Sequence, residues 1–284
     1  MNTYEILESL RDNIGEKVEK HWSNKLLIRV INIEHRKLAS KVLNSPGDWL
    51  LKKSSSLTPS SSIITLPSDC VRPAYMEEVS SGRPIPIRGT VRERRLERMA
   101  GTSLSTGNVE AYLVGNTVEV NQDSFSNAVY VWYQKRVVDL HAGLCSNDTD
   151  ATHVGFQLSL WPSGEDDYYN GITIEVRDQD TDVLNVSTTI TDFVGTTGVA
   201  EVGSVLVTPA SGDFYGTVSQ LPEELHDFIL LASTVRVLAK PSSIFEKEIF
   251  LYWNNEMKKM EKDVDDFLAT RFSGSSYVRI AERF

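Results

Sequence analysis

No uninterrupted apolar run in this sequence reaches the ~20 residues that a helix needs to cross a bilayer. Cysteine is scarce: Cys70 and Cys145 are the only two, they stand far apart, and neither belongs to a C-x-x-C pair. That argues against a disulfide framework or a cysteine zinc site and predicts reduced thiols in a cytosolic setting. His21, His35, His141, His153 and His226 never fall three or four residues from one another, so no helical metal-binding pair is present. Positive charge is in deficit: 29 Lys and Arg face 39 Asp and Glu, a net charge of −10. Such a chain does not suit general nucleic-acid binding, and DNA would pass it without sticking. The N-terminus has no basic stretch leading into an apolar one, which excludes a signal peptide. No G-x-S-x-G, G-x-G-x-x-G or Walker loop occurs. These absences predict a soluble protein made in the cytoplasm, with no cofactor, no metal and no enzymatic role.

What is present suffices for a buried core, since 40% of the 284 residues are hydrophobic and 24% charged. Tyr4, Leu7, Leu10 and Ile14 recur at helical spacing and predict a helix over 3–20, capped by Asn2 or Thr3. Ser23 can cap a second, with Leu27, Val30, Ile31, Glu34 and Leu38 on its inner face and Ser45-Pro46-Gly47 at its end. Near the C-terminus, Pro222, Glu223 and Glu224 suit a first helical turn, followed by the stripe Leu225, Phe228, Ile229, Ala232, Val235, Leu238. Ser243 and Glu246 form a capping box for the last helix. Its apolar seam is Phe250, Trp253, Met257, Met260, Val264 and Phe267, with alternating spacings of three and four.

Between these helices the periodicity turns to β. Ile63–Leu66, the segment from Ile85 to Val91, Val109–Val114, Val118–Val120 and Ala128–Val138 read as strands, with Gly115-Asn116 as a hairpin turn. From Gly143 to Gly216, short alternating segments at Val154–Leu160, Ile172–Val176, Val186–Ile190, Ala200–Val202 and Val205–Thr208 predict an antiparallel module of about 70 residues. The predicted fold class is α+β: a helical-bundle core formed by the N- and C-terminal helices, with antiparallel β structure and an inserted small β-module between them. The predicted division is 1–142 for the helical hairpin and core strands, 143–216 for the module, 217–271 for the closing helices and 272–284 for an extended tail.

Candidates for chemistry are few. His141 and Cys145 lie four apart at a strand exit and read as unrelated loop residues. Asp178, Asp180 and Asp182 alternate like the start of a calcium loop, but Val183 and Thr189 stand where that loop needs glycine and glutamate. Arg92, Arg94, Arg95 and Arg98 interleave with Glu93 and Glu97, as a solvated helix face or as a contact with an acidic neighbouring subunit. The tail is basic and apolar on an acidic chain: Arg271, Arg279 and Arg283 with Phe272, Tyr277, Val278, Ile280 and Phe284. Disordered tails are polar, so this composition suits either folding back or docking into a partner.

Four segments together carry a family resemblance. They are His21-Trp22-Ser23-Asn24-Lys25-Leu26-Leu27 with Ile31-Asn32; Ile64-Thr65-Leu66-Pro67-Ser68-Asp69; Tyr112-Leu113-Val114-Gly115-Asn116-Thr117-Val118 followed by Val129 to Lys135; and Leu221-Pro222-Glu223-Glu224-Leu225-His226-Asp227. In this order they resemble the head-to-tail adaptor (connector) proteins of tailed bacteriophages. Tyr168-Tyr169-Asn170-Gly171-Ile172 with Ile190-Thr191-Asp192-Phe193 is similar to a β-repeat of phage virion proteins, although Asp178 to Asp182 replaces its glycine-rich turn. The resemblance implies a structural virion protein of the neck. Identical subunits, commonly twelve, would form a ring on the portal protein, extend the DNA channel and carry the tail tube, nozzle or fibre proteins. It also implies a portal-docking tail, with Phe272, Tyr277, Val278, Ile280 and Phe284 as anchors and Arg279 and Arg283 pairing with portal acids. No membrane partner is implied. The alternatives are another phage tail, baseplate or stopper protein; a carbohydrate-binding adhesive module using Trp161, Tyr168 and Tyr169; and a hydrolase relying on Asp166 or Asp167.

Overall fold

Asn2 opens the first helix through a full capping box: its side chain accepts from the Glu5 N–H, and the Glu5 carboxylate accepts from the Asn2 N–H. The structure, a computed structural model, describes residues 1–45, 48–90, 109–122, 125–203, 205, 207–240 and 247–270. Helix α1 runs Thr3–Asn13 and α2 runs Asn24–Asn44. Then come β1 (Leu51–Lys53), β2 (Ile63–Thr65), β3 (Cys70–Glu78), β4 (Pro84–Thr90), β5 (Ala111–Val114), β6 (Thr117–Val120) and β7 (Val129–Lys135). Strands β8 (Ala142–Leu144), β9 (His153–Gly155), β10 (Thr173–Arg177), β11 (Leu184–Val194), β12 (Val199–Val202) and β13 (Phe214–Thr217) follow. Helices α3 (His226–Leu238) and α4 (Lys247–Thr270) complete the order.

The helical-bundle core with a small β-module is not what forms. The protein is mostly β, with two curled sheets of seven and six strands and four helices among the described residues. The reason lies in long-range pairing. Strands of three or four residues count for little as local pattern, yet β8 is ordered by pairing with β13 some seventy residues on, where every buried N–H and C=O must find a partner.

The chain divides into two compact units. One is the continuous segment Asp48–Arg136. Its sheet has the order β1-β7-β3-β4-β5-β6-β2, antiparallel except between β4 and β5. Strand β7 alternates strictly, placing Val129, Val131 and Tyr133 in the core with Ile64, Met76, Ile85, Val118 and Val120. The neighbour of β7, β3, carries Pro73 and two register shifts, which hides it from a period-two reading.

The other unit joins Met1–Gly47 to Val137–Phe284. Its sheet has the order β8-β13-β10-β11-β12-β9 around a core of Phe156, Tyr169, Ile172, Ile174, Ile190, Phe193 and Tyr215. Helix α1 lies against this sheet as well as against α2 and α3. The Thr3 hydroxyl donates to the Thr217 carbonyl at 2.5 Å, the Asn2 amide donates to Glu175 at 2.8 Å, and Tyr4 stacks on Phe214 at 4.5 Å. A Cβ on Gly216 would stand 2.7 Å from the Tyr4 nitrogen and 2.8 Å from Asn2 Oδ1. Gly216→Ala is therefore expected to loosen this docking and cost about 1–3 kcal/mol, read as a lower urea midpoint at unchanged slope.

Helix α1 stops at Asn13, short of the expected Lys20. Gly15 takes φ +70°, and the Glu16 carboxylate accepts from the backbone N–H groups of Lys20, His21 and Trp22, so the chain turns. Burial alone would raise the Glu16 pKa, but these three donors and Arg11 hold it below the usual carboxylate range. Helix α2 is capped by Ser23 and buries Leu27, Val30, Ile31, Glu34 and Leu38. Glu34 is paired with Arg236 of α3 and with Lys37. Helix α4 packs along α3.

Candidate functional site: a groove beside the second helix

Lys25, Arg29, Asn32 and Arg36 are spaced four, three and four along α2, so they share one face. That face forms one wall of a groove of about 810 Å³. The facing wall is the loop from Leu160 to Tyr169, and Asp139, Leu140 and His141 also line the groove. All of it lies within one unit.

The lining is held in place by specific bonds. The Asn32 side chain donates to the Leu140 carbonyl at 2.8 Å and accepts from the Leu140 N–H at 2.6 Å. Arg36 grips Asp139 bidentately at 2.6 and 2.7 Å, and that hydrogen-bonded pairing raises the Arg36 pKa further. The Asp139 N–H donates to the Tyr168 hydroxyl at 3.2 Å. His141 is 2% exposed with Nδ1 2.8 Å from the Tyr215 hydroxyl, and burial pushes its pKa down to about 4.

Trp161 stands out at the rim. It is 74% exposed, its backbone sits at φ +58°, and the Lys25 ammonium lies 2.6 Å from its ring centroid. Arg29 is exposed and has no hydrogen-bond or ion-pair partner among the described residues. The Glu165 side chain is exposed on the opposite wall.

The residues singled out from the sequence are distributed as follows. Trp161, Tyr168 and Tyr169 all line one groove, but Tyr169 is 2% exposed and its ring packs into the core. The α4 seam lies on the inner side of that helix. Val264 is buried and Phe250, Trp253, Met257, Met260 and Phe267 are half-buried, joined by the buried Leu268, which sequence reasoning missed. Arg92, Arg94, Arg95 and Arg98 lie outside the described residues. So do the tail residues Phe272, Tyr277, Val278, Arg279, Ile280, Arg283 and Phe284, and the capping box at Ser243 and Glu246.

Cys145 is buried, and its thiol is pushed up to about 12, first by burial and then by Asp213. It is therefore protonated and unreactive at neutral pH. The Asp178 carboxylate accepts from the N–H groups of Asp180 and Thr181 and from the Thr181 hydroxyl, closing its own turn. Asp166 accepts from the Gly195 N–H, tying its loop to the β11–β12 turn, and Asp167 accepts from the Asn170 amide within its own loop, so both have structural partners. Among the described residues no group of three or more His, Cys, Asp or Glu is placed to hold a metal ion. Nor is any helix there long and apolar enough to cross a membrane.

No family model matches the chain, and no curated protein matches it. The groove itself offers an exposed indole, an unpaired guanidinium and a fixed polar wall. That is the equipment of a binding site. The signal was present in the sequence as the polar stripe Lys25, Arg29, Asn32, Arg36 on one face of α2, but its meaning depends on Asp139 and Leu140, about a hundred residues away.

Proposed function

We propose that this protein is a structural subunit of a tailed-phage virion, a head-to-tail adaptor seated between portal and tail. In this reading identical copies form a ring on the portal protein, extend the DNA channel and give the tail tube, nozzle or fibre proteins a platform. The reading is carried by one observation: all four segments that resemble the adaptor family fall at joints of the fold. Ser23 caps α2, and Asn32 latches Leu140. Asp69, after β2, accepts from the Tyr133 hydroxyl at 2.7 Å and from Lys52 at 2.9 Å. Gly115, at φ +58°, turns β5 into β6. The Leu221 carbonyl lies 3.0 Å from His226 Nε2 at the entry to α3. The net charge of −10 suits a channel that DNA traverses without adhering.

The test is native mass, for the protein alone and after mixing with the portal ring of its own phage. A monomer that adds a ring of copies to the portal is expected, and a stable small oligomer that ignores the portal would overturn the reading. Deleting residues 272–284 is expected to abolish portal binding, measured by co-sedimentation with the ring. Undiminished binding of the truncated chain would remove the docking role from Tyr277, Ile280, Phe284 and the two arginines among them.

A further inference from the structure

We propose that the groove beside α2 binds a short oligosaccharide carrying a carboxylate. This stands on the groove alone and does not depend on the adaptor reading. At about 810 Å³ the groove falls in the range of small-ligand sites. Docking of a protein surface buries on the order of 800 Å² per partner and favours broader faces. The α2 side of the groove is fixed before any ligand arrives, because Arg36 is clamped to Asp139 and Asn32 to the Leu140 backbone. A ligand therefore pays little to order it.

Trp161 supplies the stacking surface. An indole that is 74% exposed, on a backbone at φ +58°, is held out of the core against its own hydrophobicity. Lys25 caps one face of that indole, and the 74% exposure of Trp161 leaves the other open; the axial C–H bonds of a pyranose ring carry partial positive charge and fit that open, negative face. Charge selects within the saccharide class. Arg36 and Asp139 neutralise each other, which leaves Lys25 and Arg29 against Glu165. The surplus is one positive charge on an acidic chain. That matches a single carboxylate, whereas a polyphosphate or a nucleic-acid strand would bring more negative charge than the groove can meet. Arg29, with its planar fork unoccupied, is placed to take the carboxylate bidentately.

The experiment uses the full chain on a panel of immobilised acidic and neutral oligosaccharides, followed by titration calorimetry with any binder and with its methyl ester, which removes the charge. Acidic members are expected to bind, and the ester at least about tenfold more weakly. Trp161→Ala is expected to abolish retention and Arg29→Gln to remove the preference for the acid over its ester. Both side chains are exposed, so the thermal midpoint should not move. Retention of no member, or equal binding of acid and ester, would overturn the proposal. If instead Trp161→Ala leaves glycan binding intact but breaks self-association or ring assembly, the groove is a contact between copies of the chain and the saccharide reading is wrong.

Discussion

Between pH 6.5 and pH 4 the unit that holds the groove is expected to lose several kcal/mol of stability through two buried histidines. His35 and His141 are buried, and burial pushes the pKa of each down to about 4 from an ordinary value of 6.5. Over that interval the unfolded chain binds protons at both rings and the folded chain does not, so stability rises with pH and is complete above 6.5. One pKa unit corresponds to roughly 1.4 kcal/mol, so each ring contributes roughly 3 kcal/mol across the window. His226 is shifted the same way, by burial first. The carboxylates act elsewhere. Asp150 is held at about 2 by its hydrogen bonds to Thr152 and His153, and Asp69 and Glu16 also lie below their usual range. Their stabilising contribution is present above the unfolded carboxylate pKa and disappears only as pH falls through the folded values. Urea midpoints measured from pH 7 down to 4.5 should therefore fall steadily. A flat profile, or His35 and His141 ring protons that titrate near 6.5 in the folded protein, would contradict this account.

Asn32→Ala should cost about 2–4 kcal/mol and take the groove with it. Asn32 is 7% exposed and Leu140 1%. Removing the amide strands the Leu140 N–H and carbonyl together, and each unsatisfied buried polar group costs about 1–3 kcal/mol. Asn32→Asp separates the two halves of the latch: a carboxylate still accepts from the Leu140 N–H but faces the Leu140 carbonyl with no proton to donate. It should therefore be destabilising as well. Amide exchange at Leu140 reads the effect directly, since its N–H protection should fall in both variants while that of β7 in the other unit stays constant. Unchanged protection at Leu140 would mean that the bond contributes nothing.

Helix α2 was legible because its cap, its stripe and its terminating serine all point the same way, and the β5–β6 hairpin because Gly115-Asn116 leaves the backbone little choice. The balance of the fold was not legible. β3 is broken up by Pro73 and by bulges, while β8 and β13 are too short to register and acquire meaning only from each other. The overrun of α1 to Lys20 came from crediting helix propensity where Gly15 and a carboxylate turned back on three N–H groups decide the path. At the groove, Trp161 was visible as a loop aromatic. Tyr169 looked equivalent, since nothing in the sequence separates a ring that faces out from its neighbour packed on Phe156 and Phe193.

The bridge that joins Asn2 to Val218, with Thr3 bonded to Thr217, closes most of the chain into a loop. On the ribosome this sets an order of events. The segment Asp48–Arg136 has every strand of its sheet in hand once residue 136 has emerged and can fold while synthesis continues. The first helix has no such option. Its capping asparagine, Thr3 and Tyr4 must wait for β13, which is made long after them, so α1 is synthesised well before it can be seated.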